Sequence, residues 1–365
     1  MPQNIARLYP EFGQSPWLDN IQRKQIESGE LSLIRDRGVR GLTSNPAIFQ
    51  KAIQGSTDYD AQFADLIKAG RTVEDAYWEM VLRDIEGALN VFSPIHESSM
   101  GGDGFVSVEV DPRLAHDTAG TVAAARWLRS RVTAPNVMIK IPATRAGLPA
   151  IEQMISEGCN VNVTLIFSIP RYQEVMESYL RGLEKRLASG GDISSVSSVA
   201  SFFISRVDSD IDKMLEERNA TELLGKAAVN QGVLAYEAFR AVFDGPRWTV
   251  LKNAGARVQR PLWASTSTKN PAYSDTLYVD SLIGPDTVNT LPENTLEAFD
   301  DHGTPARTID VSVSRSQAEW LALASYGIDV DQVADKLETE GVAAFIKAFD
   351  ELLEVLGDKA KSFTS

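Results

Sequence analysis

The run Val137-Met138-Ile139-Lys140-Ile141-Pro142-Ala143 sets one lysine among apolar neighbours. Side chains alternate between the two faces of an extended chain, so Val137, Ile139 and Ile141 share a face and Lys140 lies on the other with Met138 and Pro142. An ammonium is rarely buried without a partner. One chemistry that exploits such a lysine is Schiff-base formation. At a free pKa of ~10.4 few lysines are neutral at pH 7, and burial disfavours the cation and frees the lone pair to attack a ketone. A structural ion pair is the alternative, and this segment by itself does not choose between them.

Other polar side chains share the pattern. In Ser107-Val108-Glu109-Val110-Asp111, Glu109 falls on the face opposite Val108 and Val110, as a general acid/base or as the structural partner of Lys140. Asp111 precedes Pro112 and suits a turn or a helix cap. Asn162 and Thr164 alternate with Val163, Leu165 and Phe167, fit either to hold a polar ligand or water or to satisfy each other in a polar layer. Asn45, before Pro46, reads as a helix N-cap, and Asp19, after Trp17-Leu18, as a loop carboxylate or a proton acceptor. Arg206 and Lys269 end the runs SFFISR and WASTSTK as cations that singly read as solvated rim charges and as a pair on an acidic protein favour a phosphorylated ligand.

These residues need a scaffold that aims them at one point. Short β-rich runs at residues 15–19, 39–45, 105–111, 137–143, 161–168, 199–206, 261–267 and 287–291 alternate with helical patterns at 73–91, 115–131, 148–157, 171–188 and 225–243. Further helical patterns follow at 315–326 and 342–356. Eight β/α units predict an α/β fold: a single (β/α)8 TIM barrel spanning 1–365, with additional C-terminal helices from about residue 293. A doubly wound open sheet is the rival, but no GxGxxG follows the first run. Barrel strands carry their catalytic side chains at the carboxyl ends, where most of these candidates fall.

Composition narrows the partners. The 365 residues carry 36 Lys+Arg against 50 Asp+Glu, a net charge of −14 that argues against nucleic acid or an anionic membrane. A small anionic ligand needs only one or two placed cations. The start lacks an apolar signal core, no run is long enough to span a membrane, and the single cysteine, Cys159, cannot form an intrachain disulfide. His96, His116 and His302 show no metal-site spacing. A cytoplasmic, metal-independent protein is the expectation.

Six motifs in register, GLTSNPAIF, VSVEVDPRL, VMIKIPAT, NVNVTLIFS, SVASFFISRVDSDID and RPLWASTSTKNP, lie in this order between about Trp17 and Asn289. Together they resemble transaldolase, in its long bacterial form. The resemblance implies a class I aldolase-type barrel without metal or organic cofactor. Such an enzyme moves a dihydroxyacetone unit between sugar phosphates in the non-oxidative pentose phosphate pathway, from sedoheptulose 7-phosphate to glyceraldehyde 3-phosphate. By motif match it implies that Lys140 forms the Schiff base and Glu109 acts as acid/base through a water positioned by Thr164, while Asp19 transfers the C4 hydroxyl proton. Asn45, Asn162 and Ser201 would hold substrate hydroxyls, Arg206 would grip the phosphate, and Ser267 and Lys269 would complete the substrate-binding set. Better-known members carry arginine where this chain has Lys269, which keeps the charge but loses the bidentate fork. They also carry proline where Phe202 follows Ser201. Two rivals share the residues: a lyase-type class I aldolase that releases free dihydroxyacetone, and a non-catalytic sugar-phosphate-binding barrel. Sugar phosphates are the implied partners, and a homo-oligomer is left open.

Overall fold

Seven short runs form parallel strands whose side chains are almost all buried on both faces, as parallel sheets covered by helices require. The computed structural model describes residues 3–364. The strands are β1 (Gln14–Leu18), β2 (Val106–Glu109), β3 (Val137–Pro142), β4 (Val161–Ile166), β5 (Ser198–Phe203), β6 (Gln259–Ala264) and β7 (Thr287–Leu291), hydrogen-bonded in the order β1-β7-β6-β5-β4-β3-β2.

The expected strand at 39–45 shrinks to a short extended stretch, and that stretch closes the ring. Leu42 bridges Leu18 of β1 and Val106 of β2. On one side Arg40 N donates to Pro16 O (2.7 Å) and Thr43 N to Leu18 O (2.8 Å), and on the other Leu42 N donates to Phe105 O (2.9 Å) and Ser107 N to Leu42 O (3.0 Å). The barrel thus has its eight staves, one of them only a few residues long. Gly38, at φ +113°, turns the chain just before it, and Asn45-Pro46 opens a helix just after.

Several expected strand ends belong to other elements. Ile204 leaves β5 in a right-handed turn and Ser205–Glu217 is helix, so Arg206 sits on a first helical turn. Residues 265–267 lie beyond β6, with Ser265 at φ +57°. The helix expected at 115–131 begins at Thr118 and runs to Arg131, preceded by a short turn at Pro112–Leu114.

After β7 come the helices Glu293–His302, Val313–Ser325 and Val330–Thr364. The last runs over the carboxyl ends of the strands. Along it, Lys336 pairs with Asp210 (2.6 Å) and Glu338 with Arg171 (3.5 Å), both on helices that follow β5 and β4. Further on, Phe349 lies under Arg113 (4.8 Å to the ring centroid), Glu351 accepts from Gln50 (3.0 Å), and Lys359 pairs with Asp60. These anchors lie on opposite sides of the ring, so the helix crosses the mouth. Among the described residues no helix is long and apolar enough to cross a membrane.

Candidate active site

The parallel register sets the lumen. Glu109 pairs with Lys140 across β2 and β3, and Lys140 with Asn162 across β3 and β4, so these three inward side chains stand in one layer. Lys140 Nζ lies 3.1 Å from Glu109 Oε2 and donates to Ser44 O at 3.1 Å, with both side chains 5% exposed. Burial pushes the Glu109 pKa above its ordinary value, opposed by the lysine charge beside it.

Above this layer opens a cavity of about 540 Å³. Lys140 lies in its wall with Asp19, Asn45, Thr164, Ser201, Arg206, Ser267 and Lys269, eight of the ten residues singled out by the sequence. Glu109 and Asn162 are not on that wall. Glu109 borders a small gap behind it, beside Ser44 and Tyr77. Asn162 is spent on its neighbours: its amide donates to Ser107 Oγ (2.9 Å) and its oxygen accepts from Ser201 Oγ (2.7 Å). That is the polar-layer alternative for Asn162, and it orients Ser201 from behind.

Each wall residue has a local cause. Asn45 caps the helix Pro46–Gln54, accepting from Ile48 N (3.0 Å), and also faces the cavity. Asp19 follows β1 and accepts from Thr43 Oγ1 (2.8 Å), which also meets Thr290 Oγ1 (2.6 Å). Burial raises the Asp19 pKa, against the lowering pull of Lys140, the Thr43 hydrogen bond and Lys269. Thr164 Oγ1 is buried and finds no protein partner among the described residues. It stands next to Leu165, whose backbone takes φ +61° where the β4–β5 register shifts between Val163 and Ile166. A bulge of this kind re-aims side chains at a strand end.

Arg206 enters the cavity from the opposite side, its guanidinium 5.2 Å from the Phe203 ring centroid. Among the described residues no carboxylate comes within 4 Å of Arg206, Lys269 or Lys51, the other cation in the wall. In a chain of net charge −14, such open cations suit an anionic group on a ligand. Burial lowers the Arg206 pKa, opposed by the charge of Glu340.

Sequence patterns alone do not single out Thr43, Thr290, Lys51 or Phe345, all of which line the cavity. Thr43 had a signal, since it lies two residues before Asn45 in the same extended stretch and so shares its face. Phe345 had none. It arrives on the helix Val330–Thr364 and places its ring centroid 5.6 Å from Lys140 Nζ.

A buried amine, two carboxyls and a cationic far wall are together suited to carbonyl chemistry on a phosphorylated sugar. Comparison with known proteins agrees. A family profile described as Transaldolase/Fructose-6-phosphate aldolase matches residues 16–356. The chain is 51% identical to "Transaldolase 1" of Streptomyces avermitilis, over 97% of this chain and 95% of that protein. It is 50% identical to "Transaldolase" of Saccharopolyspora erythraea, over 96% of each. With "Transaldolase" of Trichodesmium erythraeum it shares 45% identity over 97% of each.

Proposed function

The chain belongs to the transaldolase/fructose-6-phosphate aldolase family and acts as a transaldolase on sugar phosphates, and on that premise we propose that Lys140 carries the transferred three-carbon unit as a Schiff base. The observation that carries this reading is the buried Lys140 Nζ in the cavity wall, with Glu109 3.1 Å behind it and open cations across from it.

In this reading Lys140 Nζ adds to the C2 carbonyl of the ketose phosphate. Glu109 takes the proton from the nitrogen and returns one to the C2 hydroxyl, which leaves as water and completes the iminium. A carboxyl whose pKa burial holds above the ordinary range is suited to give as well as take that proton. The C3–C4 bond then breaks. Its electron pair moves toward the iminium to form an enamine, while Asp19 accepts the C4 hydroxyl proton and the aldose phosphate departs. Attack of the enamine on a second aldose phosphate runs the same steps backward. Thr164, whose hydroxyl finds no protein partner among the described residues, positions the reacting water. Asn45, Ser201 and Ser267 hold sugar hydroxyls, and Asn162 orients Ser201. Arg206 and Lys269 hold the phosphate, remote from the bonds that change, so its binding orients the sugar.

The compartment we assign is the cytoplasm. The one cysteine is buried, and burial pushes its thiol up to about 11, which suits Cys159 to packing.

Borohydride added with fructose 6-phosphate tests the mechanism. The expected product is a reduced three-carbon adduct on the peptide holding Lys140, read by mass spectrometry and lost in Lys140→Met. An adduct on another residue, or turnover surviving in Lys140→Met, would overturn it.

A further inference from the structure

We propose that Phe345, on the helix crossing the barrel mouth, is the cover that keeps water from the Lys140-bound enamine and so sets transfer over release of free dihydroxyacetone. This inference rests on the Schiff-base reading of Lys140.

The helix Val330–Thr364 belongs to no β/α unit, yet one face of it reaches the reacting centre. Gly341 and Phe345 are four residues apart and share that face. Gly341 lets the helix come close: a β-carbon there would stand 3.0 Å from the Leu165 side chain and 3.5 Å from the Arg206 guanidinium. One turn on, Phe345 is 5% exposed, lines the cavity, and holds its ring 5.6 Å from Lys140 Nζ. Another turn on, Phe349 packs edge-on against Tyr77 (5.2 Å) and beneath Arg113 (4.8 Å), which fixes the helix in rotation. Phe345 is therefore a rigid apolar wall beside the nitrogen, supplied by a segment outside the barrel.

The partition it controls is a competition for one electron pair. In transfer, the enamine C3 forms a bond to the aldehyde carbon of the acceptor, whose oxygen takes a proton. In release, the same electron pair takes a proton from water to form C3–H and leaves hydroxide. Water then adds to C2 of the resulting iminium and gives its proton to that hydroxide, the C–N bond breaks as the C2 hydroxyl proton passes to the nitrogen, and dihydroxyacetone leaves Lys140 as a free amine. Nothing but acceptor and water is needed for either branch. An aromatic wall at the nitrogen lowers the local water density and disfavours release, while leaving the acceptor's approach from the cationic side open.

The test compares wild type with Phe345→Ala, Phe345→Val and Phe345→Leu on fructose 6-phosphate. Free dihydroxyacetone is measured without acceptor, and transfer is measured with saturating erythrose 4-phosphate. The ratio of the two rates is independent of how much of each preparation is folded. Expected is a rise of at least tenfold in that ratio for Phe345→Ala, a smaller rise for Phe345→Val, and a change within twofold for Phe345→Leu, which keeps the cover apolar. Phe345→Val gives the reading if Phe345→Ala does not fold. Borohydride trapping in each variant separates two failures. An unchanged ratio with the Lys140 adduct intact overturns the role of Phe345. Absence of that adduct in active wild type removes the Schiff-base reading and this inference with it.

Discussion

At the scale of single residues the site is a set of charges held away from their ordinary behaviour. Glu109 and Asp19 are both driven up by burial, and both are pulled part of the way back by Lys140, so one cation couples to two carboxyls. Their roles differ by position. Glu109 touches the amine from behind, while Asp19 faces the cavity beside Thr43. In its proposed role as acceptor of the C4 proton, Asp19 must be ionised to act. Its raised pKa therefore predicts that kcat falls as pH drops through a point above the usual carboxylate range, and is fully recovered only well above it. Asp19→Asn should lower the plateau of kcat by roughly 10²–10⁴-fold. It should also remove that acid limb, with the Lys140 borohydride adduct still forming, because imine formation does not use this group. A pH profile of kcat for both proteins checks this: an acid limb unchanged in the variant assigns the proton transfer elsewhere.

At the scale of elements the two cations proposed to hold the phosphate depend on how two segments are tied together. The helix Ser205–Glu217 begins at β5 and carries Arg206, whereas Lys269 rides a loop after β6. Ser205 N donates to Ser265 O (3.0 Å) where both segments leave their strands. Further out, Asp212 accepts from Tyr273 (2.7 Å) and Asp208 from Tyr278 (2.9 Å). The same carboxylates accept from Gly225 N (2.9 Å) and Ala228 N (2.7 Å), so they are fixed to the next helix. Tyr273→Phe removes one tie. The expected outcome is a three- to tenfold rise in KM for fructose 6-phosphate, with kcat little changed and KM for unphosphorylated fructose unmoved. An equal rise for both sugars would show a general loss of structure. This arrangement also marks where sequence reading stops. Strand parity correctly turned Lys140, Glu109 and Asn162 inward, because alternation depends only on extended backbone. It carries no information on depth, which is why Asn162 proved bonded to Ser107 and Ser201 behind the cavity. Nor does it foresee left-handed residues such as Leu165 and Ser265, which end the alternation at the strand tips and send the chain into helix or loop earlier than the apolar pattern suggests. The C-terminal helix was legible only as a helical pattern at 342–356, and an apolar helix face does not name what it covers, so Phe345 became visible only with the barrel mouth beneath it.

For the whole molecule, the decisive feature is ring closure by the shortest stave. Lys140 donates to Ser44 O, and Asp19 accepts from Thr43, so the residues after Leu42 are part of the site as well as of the seam. Beneath the seam Asp103 gathers Ser15, Trp17 Nε1 (2.9 Å), Arg40 (2.8 Å) and Arg260 (3.4 Å) at the amino end of the barrel, remote from the chemistry. Between these two layers the chain passes Gly41. A β-carbon there would stand 2.6 Å from the Trp17 ring and 2.8 Å from Phe105 O, one fully buried and the other backbone, so neither can yield cheaply. Gly41→Ala should therefore force β1 and β2 apart and destabilise the fold by about 1–3 kcal/mol, the usual cost of overpacking a close-packed core. Because the closing stretch bonds to both neighbours, the strain should appear as one cooperative shift of the urea midpoint, seen alike by tryptophan fluorescence and far-ultraviolet circular dichroism. The transfer reaction should weaken in parallel, since opening the seam moves Ser44 and Thr43 away from Lys140 and Asp19. A midpoint equal to that of wild type would mean that the ring has slack at this point, and that the site is not held by its closure.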